Sequence, residues 1–408
     1  MENLISKEIK YKFFTPWIII ISLIALNGIV FIGLRFLFGI GSVTNLNNQY
    51  PWGLWIGVDV AAGVALAAGG FMSAAIGHIL HKDLYHAIVR PALLTAMLGY
   101  TFVAFAVFID IGRWYYIWHP LLMWNPNSAL FEVGICVMIY VTVLYIEFMP
   151  ILTEKFLGKV NLPGFLSSFN SLFEAILRFI DKTFNRAQFI FIIAGVVLSS
   201  LHQSSLGTLM VIAGEKMHPL WQTPILPLLF LISAVSVGFP MVIFESLIAS
   251  RSFKLKPEMK VLAKLGTTVP LILGVYVAFK IGDMVIRKSF VYLAEFNIQS
   301  VMFVIEMLLI ITPGIMLNFK EVLKSPLKLF ISATMVVAGV LLNRINNFII
   351  AYNPPYKIEA YFPSFGEISV TVGCIALLVL LYRAIVMIFP IISQHDNELT
   401  VNSSAEVK

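Results

Sequence analysis

The sequence predicts an all-α, polytopic membrane protein, and three observations predict it. Of the 408 residues, 59% are apolar. Only 12% are charged, about half the roughly 25% of an ordinary soluble domain. Mean hydropathy is +0.90, and the apolar residues form long, glycine-containing stretches without the period-two alternation of a β-barrel strand. A soluble enzyme of this size would need far more polar surface. A disordered chain would need low hydrophobicity.

A spanning helix takes about 20 apolar residues. Ten stretches qualify: 15–38, 54–79, 89–111, 128–150, 188–212, 224–249, 264–286, 299–318, 329–349 and 367–390. The first is read as a retained span, because no small-residue cleavage site follows it. Between the fourth and fifth, Phe165, Phe169, Leu172, Phe173, Ile176, Leu177 and Ile180 recur at helical spacing, with Arg178, Lys182 and Arg186 among or after them. That pattern predicts an amphipathic helix over about 165–186, lying on the cytoplasmic face. With the N-terminus inside, 20 of the 28 Lys and Arg fall on inner segments, which puts both termini in the cytoplasm. The net charge of +6 therefore reports orientation and not nucleic-acid binding. The outer loops are aromatic and Pro-rich, as in Tyr50-Pro51-Trp52 and Trp114-Tyr115-Tyr116, and suit the outer interface or a docked partner.

Leu98-Gly99-Tyr100 is similar to Leu273-Gly274-Val275. Asp110, Arg113 and Glu132 recur as Asp283, Arg287 and Glu306, at an offset of 173 or 174 residues. An offset that skips four helices preserves orientation. It predicts two parallel four-helix bundles, spans two to five and six to nine, with peripheral helices beside them.

Charged groups in hydrocarbon are expensive and are functional candidates by default. The outer half collects Asp59, Asp110, Glu132, His202, Gln203, Asp283, Glu306, Arg344 and Glu367. Such a set suits a proton-coupled small-molecule site, with carboxylates and an imidazole as proton carriers. His202 and Asp59 are the candidates for hydrogen bonding to the ligand, with Gln203 and Glu132 beside them. Asp283, Glu306 and Glu367 are candidates for a proton path, and Arg344 for their charge balance. Each has a plainer reading. Arg344 and an acid can be a packing ion pair, Asp110 and Arg113 interfacial residues, and His202 a satisfied core histidine. Glu147 and Glu245, near the inner face, are expected to pair with Arg90, Arg383 or loop lysines.

Cofactor sites are scarce. Cys136 and Cys374 are too few for an iron–sulfur cluster or a structural zinc; they read as small apolar residues, with a disulfide between them left open. No metal site is predicted. Of His78, His81, His86, His119, His202, His218 and His395, only His202 is deep. The facing pair that ligates a membrane haem b is missing, so no haem is expected. There is no P-loop, HExxH or GxSxG.

Several blocks together resemble the NrfD/PsrC family of quinone-interacting membrane subunits. They are Pro51-Trp52-Gly53-Leu54-Trp55 with Asp59, Phe131-Glu132-Val133 with Glu147, His202-Gln203-Ser204-Ser205-Leu206-Gly207 through His218-Pro219-Leu220-Trp221, and Met241-Val242-Ile243-Phe244-Glu245. The similarity runs through nearly the whole chain, and its nearest branch looks like the HybB-type membrane subunit of [NiFe] hydrogenases. The resemblance implies a haem-free subunit of the cell inner membrane, working in anaerobic respiration. It would carry electrons between a ferredoxin-like iron–sulfur subunit at the outer face and menaquinone or ubiquinone. The catalytic subunits of a hydrogenase or related oxidoreductase would be further partners, and membrane lipid the surroundings. Two other classes compete: a proton- or ion-coupled secondary transporter, and a passive anchor. Neighbouring genes for iron–sulfur or hydrogenase subunits would remove the transporter.

Overall fold

The computed structural model describes residues 4–395 except 7, 10, 75–85, 162, 356 and 358. Lys7, Lys10, Lys82, Lys408, His78 and His81 lie outside the described residues. The chain is helical apart from two three-residue strands. Its principal helices are α1 (Pro16–Phe38), α2 in three pieces (Trp55–Ala62, Gly63–Leu66 and Ala68–Ala74), α3 (His86–Asp110), α4 (Ala129–Phe156) and α5 (Asn170–Ala213). They continue with α6 (Leu226–Phe253), α7 (Met259–Ile286), α8 (Ile298–Met316), α9 (Pro326–Ile345, running on through Asn346–Ile350) and α10 (Phe365–Ile388).

Among the described residues, nine of these helices are long and apolar enough to cross a membrane. The protein is a multi-pass membrane protein. The shorter one is α2, and the inner end of its expected 54–79 span lies outside the described residues. It begins as a π-helix over Trp55–Ala62 and is interrupted at Ala67. Asn346–Ile350 at the end of α9 is a second π segment. Such widened turns concentrate at functional sites.

Two rings of helices follow from the packing. Helices α2, α3, α4 and α5 each pack on the next and close on themselves, and α6, α7, α8 and α9 do the same. The rings join where α2 meets α6, α5 meets α6 and α9 meets α2. These are the two bundles that the repeat predicts. At the centre a Cβ on Gly69 would sit 3.0 Å from the Gly238 carbonyl oxygen of α6. Helices α1 and α10 form a peripheral pair against α3. They cross at Gly28 and Gly373, where a Cβ on Gly373 would lie 2.5 Å from the Gly28 Cα. Backbone meets backbone there, so neither side can yield. Gly373→Leu is expected to lower stability by at least about 1–3 kcal/mol, the usual range for overpacking, read as a lower thermal midpoint of the purified protein.

The chain ends lie side by side. Strand β1 (Leu4–Ser6) pairs antiparallel with β2 (Ser393–His395). Three basic residues reinforce the join: Lys155 donates to Glu8 (2.6 Å) and the Ile388 carbonyl (2.5 Å), Arg90 to Glu154 (2.6 Å) and the Pro390 carbonyl (2.9 Å), and Arg383 to the Lys12 carbonyl (2.7 Å).

One element differs from its expectation. The amphipathic segment 165–186 and the fifth span are not two helices. From Asn170 they run on as α5, 44 residues long, or about 66 Å at 1.5 Å per residue. No Gly or Pro interrupts residues 170–194, so nothing turns the helix where a surface-lying segment would have to bend. Its first turns pack beside the end of α4, with Glu174 accepting from the Gly158 backbone N–H (3.0 Å) and Asp181 from the Thr153 hydroxyl (3.4 Å).

Candidate functional site

The second bundle encloses a buried polar network. Glu306 of α8, fully buried, accepts from Lys280 of α7 (2.7 Å), Asn343 and Asn346 of α9 (2.9 and 2.8 Å) and the Trp221 indole (2.9 Å). Two helices and a loop therefore converge on one carboxylate, and Lys280 is its ion-pair partner. Near the end of α7, Asp283 accepts from Thr223 (2.8 Å) and pairs with Arg287 (2.7 Å), one helical turn on.

Arg344 of α9 carries the network to the first bundle. Its guanidinium donates to Asn343 Oδ1 (2.6 Å), Ser233 Oγ (2.9 Å), the Phe230 carbonyl (3.0 Å) and Gln203 Oε1 of α5 (3.4 Å). It lies over the Phe230 ring at 3.8 Å. Gln203 follows His202, which is fully buried with neither ring nitrogen hydrogen-bonded. The His202 ring stands 5.7 Å from that of Tyr100, whose hydroxyl is 3.3 Å from Ser199 Oγ. Tyr140 meets Tyr100 edge-on at 4.3 Å. Beyond it lies Glu147: a Cβ on Gly195 would be 3.3 Å from Glu147 Oε1 and 3.5 Å from the Tyr140 ring. Glu147, Tyr140, Tyr100, Ser199 and His202 thus form a line of titratable or hydroxyl groups along the interior of the first bundle.

The inner acids are placed differently from their expectation. Arg90 and Arg383 are committed to the chain ends and to Glu154 and Ser252. Glu147 Oε1 and Glu245 Oε1 are buried without a hydrogen-bond partner. The polar neighbours of Glu245 are Thr95 and Tyr382, and Tyr382 lines a cleft together with Ser246, Ser250 and Lys256.

A third group lies between α1, α2, α3 and α10. Asp59, half-buried, accepts from Thr371 of α10 (2.6 Å). Arg35 of α1 is buried and donates to the Ile109 and Ile111 carbonyls (both 2.5 Å), beside an Asp110 with an unpartnered Oδ1. Glu367 completes a capping box with Ser364 at the start of α10 and also accepts from the Asn45 backbone (3.1 Å) and the Tyr361 hydroxyl. That carboxylate, with burial, pushes the Tyr361 phenol above its ordinary value. In the loop before α6, burial pushes the His218 imidazole below its ordinary value, against the pull of Glu295.

Of the residues singled out from sequence, the structure brings together Gln203, Arg344 and Glu306, with His202 adjoining. Asp59 is held on α10, and no hydrogen bond joins it to His202 among the described residues. Glu132 is exposed in the first turn of α4, where a carboxylate complements the helix dipole. Glu367 is engaged as a cap. Both cysteines are buried and free, and no group of metal-binding side chains occurs among the described residues. Sequence reasoning missed Lys280, Asn343, Asn346, Tyr100 and Ser199. The Asn343-Arg344-Ile345-Asn346-Asn347 run, polar inside an apolar span, was the readable signal.

Fold and interior together define a polytopic helical membrane protein of two helix bundles with buried polar groups inside them. Residues 42–353 match the family described as Polysulphide reductase, NrfD. The chain belongs to that family. It is 32% identical over 396 residues to the probable Ni/Fe-hydrogenase 2 b-type cytochrome subunit of Escherichia coli K12, covering 96% of this chain and 93% of the relative. It is 26% identical over 379 residues to the menaquinone reductase integral membrane subunit of Nitratidesulfovibrio vulgaris Hildenborough (86% and 84% covered). A selenate reductase subunit of Mesobacillus selenatarsenatis SF-1 is 23% identical over 407 residues (92% and 94% covered).

Proposed function

We propose that this chain is the integral membrane subunit of a quinone-linked oxidoreductase, a hydrogenase complex first among them. In this reading an iron–sulfur partner docks on the outer loops and exchanges electrons with menaquinone or ubiquinone held in the outer half of the membrane. Asp59 and His202 exchange the quinone's protons. The path runs inward through Ser199, Tyr100 and Tyr140 to Glu147, and not through Glu132 or Glu367. Both termini are cytoplasmic, in the inner membrane. The family and the names of the relatives support the class of complex, and the antiparallel pairing of Leu4–Ser6 with Ser393–His395 supports an even number of spans. The observation that carries the proposal is His202: fully buried, free at both ring nitrogens, and flanked by a hydroxyl line on one side and the Arg344 network on the other. A quinone gains or loses two protons with its two electrons, so a titratable group must stand within reach of its oxygens.

The b-type haem in one relative's name does not fit the described donor set. The ring neighbour of His202 is Tyr100, those of His218 are Trp221 and Tyr292, and those of His119 are Tyr116 and Trp118. No described histidine has another across from it, and the reading proceeds without haem. The purified complex is expected to release quinone on solvent extraction and to show no stoichiometric haem b in a pyridine haemochrome spectrum. Haem b at one per chain, or a preparation active with dyes that neither holds nor reduces quinone, would overturn it.

A further inference from the structure

The charges in the Arg344 neighbourhood do not balance. Lys280 and Arg344 are two buried cations, and Glu306 is the carboxylate they share. Glu306 is ion-paired with Lys280 at 2.7 Å. Every acceptor that Arg344 reaches is neutral: two amide oxygens, a serine hydroxyl and a backbone carbonyl. Among the described residues no carboxylate hydrogen-bonds it. An unpaired charge taken out of water is costly, and the Phe230 face beneath the guanidinium offsets only part of that cost.

Two buried donors in the same place are also unspent. Arg344 Nε and Gln203 Nε2 have no acceptor. They belong to side chains already in contact, since the Arg344 guanidinium donates to the other atom of the same Gln203 amide at 3.4 Å. His202, next along α5, adds a ring N–H without an acceptor. Both residues are fully buried. Donors without acceptors, on a cation without a counter-charge, ask for one kind of occupant.

The geometry points to a monatomic anion, a halide, bound between the two bundles by Arg344 Nε and Gln203 Nε2. The ligand is small because its donors are buried atoms on two side chains already within hydrogen-bonding distance of each other, at 3.4 Å. It is singly charged because one positive charge is unmatched. Its place is structural and electrostatic: it neutralises the seam and fixes the Gln203 amide beside His202. This site does not depend on the quinone reading.

The test uses the full-length protein purified as it assembles, moved into sodium gluconate and titrated with sodium bromide at constant ionic strength. The thermal midpoint is expected to rise with bromide and saturate, by about 3 °C or more, as for a ligand well above its dissociation constant. Crystals exchanged into bromide are expected to show an anomalous peak within hydrogen-bonding distance of Arg344 Nε. Gln203→Glu supplies a carboxylate in place of the halide, so this variant should be more stable than wild type in gluconate and insensitive to bromide. A wild-type midpoint indifferent to bromide, with no anomalous peak, would mean that water alone serves these donors and would overturn the site. So would a Gln203→Glu protein that keeps the full bromide response.

Discussion

His202→Ala is expected to lower quinone-linked turnover at least about tenfold, while the complex still assembles and reduces a soluble dye through its partner subunits. The floor is set below the 10²–10⁴ that a general acid–base group contributes. The physical basis is position. The imidazole can carry a proton on either ring nitrogen, and it is placed where the Tyr100–Ser199 hydroxyls approach from one side and Gln203 and Arg344 from the other. Truncation to alanine removes the carrier and leaves no charge behind, so assembly should survive. The ratio of quinone to dye activity, measured on the same preparation, separates lost proton exchange from lost folding. A variant that assembles and turns over quinone at the wild-type rate would reduce His202 to a packing residue.

The larger effect on stability belongs to Glu306. In Glu306→Gln the Lys280 ammonium remains buried with a neutral partner, and breaking a buried pair from one side costs about 3–5 kcal/mol. Asn343, Asn346 and Trp221 also lose a charged acceptor, and hydrogen bonds to charged groups are the stronger ones. The expected result is a sharp fall in assembled protein and in its thermal midpoint. Removing both charges in Lys280→Met/Glu306→Gln should restore part of the loss, because the desolvated charge goes with its partner. If the double variant is as unstable as the single one, the carboxylate's hydrogen bonds and not its ion pair hold the bundle.

Much of this was legible in the chain itself. Hydropathy located the spans, because lipid tolerates only backbone that satisfies itself. The 173-residue echo of Asp110 in Asp283 identified the two bundles. His202, Arg344 and Glu306 stood out as polar residues in apolar helices, and they do lie inside. Lys280 did not stand out, since a lysine three residues before an aspartate near a helix end reads as interfacial, and only the fold turns it toward Glu306. The cap role of Glu367 was written in Ser364-Phe365-Gly366-Glu367, a capping-box spacing overlooked among intramembrane acids. Glu147 was assigned to nearby arginines by depth alone, and depth does not say which arginines the chain ends will claim.

The crossing at Gly28 and Gly373 makes the first helix wait for the last. During synthesis α1 is made before either bundle, yet the surface it packs on, α10, is made after both. Contacts between segments so distant in sequence are the slowest to form. Both bundles can close while α1 holds only its contact with the end of α3. When α10 arrives, the pairing of Leu4–Ser6 with Ser393–His395 ties together the segments that flank the two helices, so a chain cut short before α10 would leave α1 without its main partner.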